Sequence, residues 1–236
     1  MRLLGIDGCR HGWLVAEATS LEAVPSFEWV ERFEEIVQLT GDGAAMACVD
    51  VPIGLADGDA GRRCDGEARA MLRWPRSSSV FTPPCRAALH GGTPEAIRKA
   101  NLEATGRSLS AQALGILPKI RQVDNVMTPR LQRLIRETHP EVVFTGLHPA
   151  GTGIVAGKKT AQGRRQRLAL LPPSFAAAAP TRASQPFPAR AAALDDYVDA
   201  LAALVAVIHL AQGRARRLPR DGEDRDNRGL AMEIVY

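Results

Sequence analysis

The stretch that most constrains this chain runs from Asp195 to His209 and reads DDYVDALAALVAVIH. Leu194, Val198, Leu201, Val205 and Ile208 recur at helical spacing and share one broad face, so the segment is read as a buried amphipathic helix. Yet Asp195, Asp196 and Asp199 all fall within its first five residues, and it contains no lysine or arginine. An ionised carboxylate is costly to bury unless it is paired, hydrogen-bonded or holding a metal. The rest of the chain must therefore bring positive charge to this helix.

At 100° per residue, Asp195 and Asp199 lie beside the apolar face among Ala202, Ala203 and Ala206, with Asp196 a little further round. Alanines at these positions let the helix approach a sheet closely. An N-cap and the helix dipole account for one or two carboxylates; a third needs another reason. Asp199 is reached from Asp195 at i+4 and from Asp196 at i+3, so it belongs to any metal-binding pair on the helix.

Upstream, LLGID, WLVAEAT and SFEWV read as three strands of an opening antiparallel meander, followed by a short amphipathic helix in ERFEEIVQL. AAMACVDVP is a continuous apolar run, as expected of a strand buried on both faces. Residues 53–125 change character and read as a large insertion whose final part, SLSAQALGILPKIRQVDNVM, is helical. RLQRLIRETHPEVVF is expected to be a helix leading into a strand, with Pro140 at the strand's entry. Residues 172–190 are Pro- and Ala-rich and read as a loose connection, and LAMEIVY reads as a final strand. One α/β domain over residues 1–236, built on a mixed central sheet, is the expected architecture.

Asp7 closes the first strand and Asp50 closes the buried one. The carboxyl ends of strands in an open α/β sheet are where ligands bind. Two strand-end aspartates facing a helix with two more form an all-oxygen site suited to Mg²⁺ or Mn²⁺, ions that activate water and stabilise the leaving oxygen of a phosphodiester. The counter-charge would then be the metal.

The net charge of +4 is a mild basic bias. GKKTAQGRRQR concentrates Lys158, Lys159, Arg164, Arg165 and Arg167 and is the candidate phosphate-contacting patch, whereas the tail GRARRLPRDGEDRDNRG alternates in sign and reads as a solvated loop. Cys9, Cys48, Cys64 and Cys85 show no CxxC spacing and are expected to be free thiols; Cys9 and His11 lack the second pair of a zinc site. His139 and Glu141 either extend the acidic cluster or serve the fold. Arg86 in SSSVFTPPCR either holds a phosphate or orders a loop, and Arg62, Arg63 and Arg69 form an ion-pair network with Asp65 and Glu67. No run approaches the 18 or so apolar residues of a membrane span, and the first residues lack the pattern of a signal peptide, so a cytoplasmic location is expected.

GIDGCRHGW, VDVPIGL, RRCDGEAR, SSSVFTPPCRAAL, LSAQALGILPKIRQVD, THPEVVF, KKTAQGRRQR and DDYVDALAA, in this order, resemble the DUF429 proteins, a family described as predicted nucleases with an RNase H-like fold. The resemblance covers nearly the whole chain. It implies an RNase H-like α/β fold with a helical insertion after the fourth strand, and a nuclease acting on nucleic acid through a divalent cation. DYVDALAALVAVIH is also similar to the last helix of bacterial Holliday junction resolvases. By that similarity Asp7, Asp50, Asp196 and Asp199 are the matching catalytic and metal-holding positions, with Asp50 where glutamate is common, and Asp195 is left as the helix cap.

Two other functions stay open on the residues alone. One is a non-catalytic nucleic-acid or protein-binding module that retains the fold, although 5% aromatic content leaves little material for base stacking. The other is an actin-like ATP-dependent kinase, against which the first hairpin lacks Thr or Ser and no second glycine-rich phosphate loop occurs. The type of nucleic acid and the oligomeric state are not encoded in these motifs.

Overall fold

The structure is a computed structural model that describes residues 1–189 and 191–236. Strands β1 (Arg2–Gly8), β2 (Trp13–Ala18) and β3 (Ser26–Val30) form the antiparallel meander, and α1 (Phe33–Leu39) leads into β4 (Ala45–Val49), parallel to β1. Helices α2 (Arg63–Leu72), α3 (Pro94–Thr105) and α4 (Ala111–Val126) intervene before β5 (Ile135–Glu137), which is parallel to β4. Then come α5 (Pro140–Leu147), α6 (Ala161–Leu168), α7 (Pro173–Ala178) and α8 (Leu194–Ala211), and a short antiparallel pair, β6 (Arg217–Leu218) with β7 (Ile234–Val235). The central sheet is mixed, in the order β3-β2-β1-β4-β5. An isolated parallel bridge from Val235 to Thr138 ties the terminal pair to its edge.

Side chains alternate across this sheet. Leu4, Ile6, Ala47 and Val49 face a core shared with α1 and α4, while Leu3, Leu14, Ala16 and Cys48 face one shared with α2, α5 and α8. The residues between β4 and β5 therefore contribute to both faces and are not an appended unit. Among the described residues, no helix is long and apolar enough to cross a membrane.

The expected helix and strand in RLQRLIRETHPEVVF are reversed. Leu131–Arg133 is a single 3₁₀ turn, the strand is Ile135–Glu137, and PEVVF opens α5 with Pro140 at its start. A short apolar run is ambiguous between strand and buried helix by periodicity alone; proline, whose fixed φ suits the first helical turn, decides for the helix. The 172–190 connection contains α7, anchored by buried Phe175; its last residue, Arg190, lies outside the described residues. The tail expected to be a solvated loop includes β6 and the buried Asp226, whose carboxylate accepts the amides of Leu55 and Leu230. Of LAMEIVY only Ile234 and Val235 are strand.

Helix α8 lies directly on β1. A Cβ added at Gly5 would stand 2.1 Å from the Leu204 amide nitrogen and 2.2 Å from the Ala200 carbonyl oxygen, so the two backbones meet with no room for a side chain. Because the colliding atoms are main chain, Gly5→Ala is expected to cost about 3 kcal/mol or more, the upper end of overpacking penalties. Chemical denaturation of the purified variant measures this, and a loss below about 1 kcal/mol would show that the helix can lift without consequence.

Candidate functional site

Asp7 follows Gly5 by two residues and so points to the face that α8 covers, and Asp50 follows Cys48 in the same way on the neighbouring strand. The Asp50 amide donates to the Ile6 carbonyl at 3.0 Å, which continues the β1–β4 pairing and sets the two acids side by side. With Ala200 and Leu204 of α8 over Gly5, the preceding turn of the helix brings Asp196 and Asp199 to Asp7 and Asp50. All four line one cavity of about 220 Å³, together with Glu137, His139, Glu141 and Lys158.

Burial is the main cause that pushes the Asp7 carboxyl well above its usual range, and the charges of Asp199, Asp50 and Asp196 push it further. Asp50 and Asp196 are raised chiefly by burial too. Asp199 is raised to about 6, burial outweighing the opposing pull of Lys158. The Lys158 ammonium donates to Asp199 Oδ2 at 2.5 Å, and that carboxylate is the largest cause holding Lys158 above its ordinary range. The positive charge missing from the helix thus arrives from a loop 41 residues earlier.

The oxygen donors match what a hard divalent cation takes. Among the described residues, however, no three His, Cys, Asp or Glu side chains are gathered closely enough to grip an ion, and the ammonium of Lys158 supplies the positive charge instead. Buried arginines frame the cavity. Arg62 donates to both Glu137 oxygens at 2.6 Å, and Glu137 accepts the Ile53 amide at 2.6 Å, pinning the segment that carries Asp50. Arg167 donates to Glu141 Oε1 at 2.5 Å, leaving the buried Glu141 Oε2 without a hydrogen-bond partner among the described residues.

The predicted basic residues separate. Lys158 enters the acid cavity; Lys159 and Arg164 line an adjoining groove, where Arg164 also donates to the Pro180 carbonyl. Asp195 does not cap α8: its N-terminal amide, Ala193 N–H, donates to Asp196 Oδ2 at 2.8 Å, because the residue at the cap itself is an alanine and the acceptor must reach back from three positions on. Arg86 is held by Asp124 and Asp226, and so orders a loop. Arg62 joins Asp65 and Glu137, Arg63 joins Asp224, and Arg69 donates to Val80 O and Thr82, so the expected arginine network is spread over several partners. All four cysteines are buried free thiols.

One residue of the site escaped the sequence reading: Glu137 sits at a strand end like Asp7 and Asp50, and the same rule selects it once the strand is placed at IRE. Lys158 is among the expected phosphate contacts, but nothing local signals its pairing with Asp199.

The family described as "Protein of unknown function (DUF429)" matches residues 5–224. No curated protein and no solved structure matches the chain.

A carboxyl whose proton affinity is raised by folding lends stability at acid pH and withdraws it as pH climbs through the raised value; for Asp199 that window extends from the ordinary carboxylate range to about 6. Replacing Asp7 by Asn removes one of the repelling charges, and in metal-free buffer is expected to add about 1 kcal/mol or more at neutral pH, the gain shrinking toward pH ~4. Calorimetric melting across that range tests the sign. In the same assay Asp196→Ala forfeits a cap worth about 0.5–2 kcal/mol, partly offset by relief of repulsion, while Asp195→Ala stays within about 0.5 kcal/mol.

Proposed function

We propose, from the premise that the chain belongs to the DUF429 family, that it is a metal-dependent phosphodiester hydrolase acting on nucleic acid, built on an RNase H-like fold. The observation that carries this reading is the convergence of Asp7, Asp50, Asp196 and Asp199 from two strand ends and one helix onto a single cavity, where burial resists their ionisation. Such an arrangement is unfavourable for the fold alone and becomes favourable when added positive charge enters. The sheet order, with an antiparallel meander followed by two parallel strands and α8 across the first, supports the RNase H-like assignment.

Asp7, Asp50, Asp196 and Asp199 are the residues that would hold the cation, which requires them to close up from the spacing they have here, where no three of the described side chains grip an ion. When bound, Mg²⁺ or Mn²⁺ supplies an activated water and neutralises charge on the leaving oxygen. The ammonium of Lys158 carries three donors at the edge of the cavity, suited to phosphate oxygens once Asp199 is otherwise compensated. His139 lines the same cavity with Nδ1 free of hydrogen-bond partners among the described residues, and is the group available to hold a proton. Arg62 and Arg167 keep Glu137 and Glu141 fixed, so the walls do not collapse onto the acids.

The Lys158–Asp199 ion pair favours a second reading, in which the ammonium is the permanent counter-charge of a non-catalytic nucleic-acid or protein-binding module.

Labelled single- and double-stranded oligonucleotides incubated with Mg²⁺, Mn²⁺ or EDTA decide between them, alongside Mn²⁺ titration by calorimetry. The expected result is cleavage that needs the cation, with Asp7→Asn and Asp199→Asn folded but at least about a hundredfold slower, as loss of several kcal/mol of charge stabilisation requires. Activity undiminished in EDTA would remove the metal mechanism, and absence of both Mn²⁺ binding and cleavage selects the binding module.

A further inference from the structure

The acid cavity cannot recruit a polyanion by itself, since seven carboxylate residues line it. Its neighbour can. A groove of about 1300 Å³ shares Gly8, Lys158 and Asp196 with the cavity and runs between the β1–β2 turn, the start of α6, residues 185–189 and the start of α8. Among the described residues five cations line it, Arg10, Lys158, Lys159, Arg164 and Arg182, against Asp195 and Asp196. Arg10, Lys159 and Arg182 are exposed and form no ion pair among the described residues, unlike Lys158 and Arg167 nearby. Half-buried Phe187 adds an aromatic surface to the same wall.

We propose that this groove is the track for a single-stranded nucleic acid, its phosphates held by Arg10, Lys159 and Arg182 and a base stacked on Phe187, with one phosphodiester delivered past Lys158 into the acid cavity. What happens to that phosphodiester rests on the hydrolase reading; the binding does not. Two features favour one strand over a duplex. The cavity is below the ~300–1,000 Å³ of sites for drug-sized ligands, room for a phosphate and part of a sugar. It is also walled by Val80, Phe81 and Ile116, from the residues between β4 and β5, which leaves less room for a paired partner strand. Cations along a groove with an aromatic platform are the means by which single strands are held without sequence preference.

The test is fluorescence anisotropy in EDTA with a labelled single-stranded 20-mer, the same sequence as a blunt duplex, and a labelled mononucleotide, each over a range of salt. Single strand should bind tightest. Arg10→Ala/Lys159→Ala/Arg182→Ala should flatten the slope of log affinity against log salt by about two, at roughly 0.7 per phosphate contact. Phe187→Ala should weaken binding about tenfold, within the range for loss of one stacked base. A charge-matched triple of exposed residues that line neither the cavity nor the groove, Lys99→Ala/Arg130→Ala/Arg133→Ala, should leave the slope unchanged. Tighter duplex or mononucleotide binding, no binding, or equal slopes in the two triples would overturn the track. Since cleavage is measured separately, strand binding that survives in a protein inert with Mn²⁺ refutes the hydrolase and leaves the track standing.

Discussion

Everything at this site depends on how closely α8 can lie on β1. Gly5 puts no side chain between them at the point where the backbones meet, and alanines along the helix let it settle onto the sheet. Strand alternation then fixes the rest: the face that receives α8 at Gly5 is the face to which Asp7 points, and the parallel register of β4 sets Asp50 beside it. A helix lifted by the width of one methyl group would let water in among the four carboxylates and weaken the burial that chiefly raises them. Close packing is thus the cause of the site's electrostatics and not just its support.

The electrostatic consequence is a cluster poised between two ways of being neutral. Protons can satisfy it: burial raises Asp7, Asp50, Asp196 and Asp199, and repulsion from the other aspartates of the cluster adds to this at Asp7 and Asp199. Positive charge can satisfy it as well, and Lys158 does so in part, with its single ammonium directed at Asp199. One ammonium against four acids leaves the balance incomplete. The cluster therefore favours any further cation that can reach it, and the open side toward the groove is where one can enter.

Much of this was legible in the chain because strand and helix periodicity are local properties. The meander, the buried strand ending at Asp50, the long apolar helix and its carboxylates all follow from spacing within a few residues, and the alanine face anticipated the contact at Gly5. What was not legible depended on partners far apart in sequence or on ambiguous short runs. PEVVF has the composition of a strand and becomes α5 because Pro140 begins it and the preceding IRE takes the sheet position. The cap passed to Asp196 because Ala193, not an acid, occupies the cap position, a two-residue difference in where the helix starts. Lys158 and Arg167 belong to the run read as a phosphate-contacting patch, yet both point inward to carboxylates on α8 and α5, which no local pattern encodes.

That inward pointing has a further consequence. Buried ion pairs are poor stabilisers, since desolvation cancels most of their attraction, and their use lies in fixing geometry. Arg167 of α6 is clamped at one end by Glu141 of α5 and at the other by the carbonyls of Ala156 and Gly163, the residues that bracket Lys158. The loop bearing the ammonium is therefore fastened to α5, which itself packs on α8. Position is relayed from α8 through α5 and Arg167 back to Lys158, so that the counter-charge meets Asp199 as a result of the framework and not of its own flexible side chain. A lysine left to find its partner unaided would sacrifice rotamer entropy for a weak surface pair. Held by this frame, it supplies the charge that the sequence of α8 lacks.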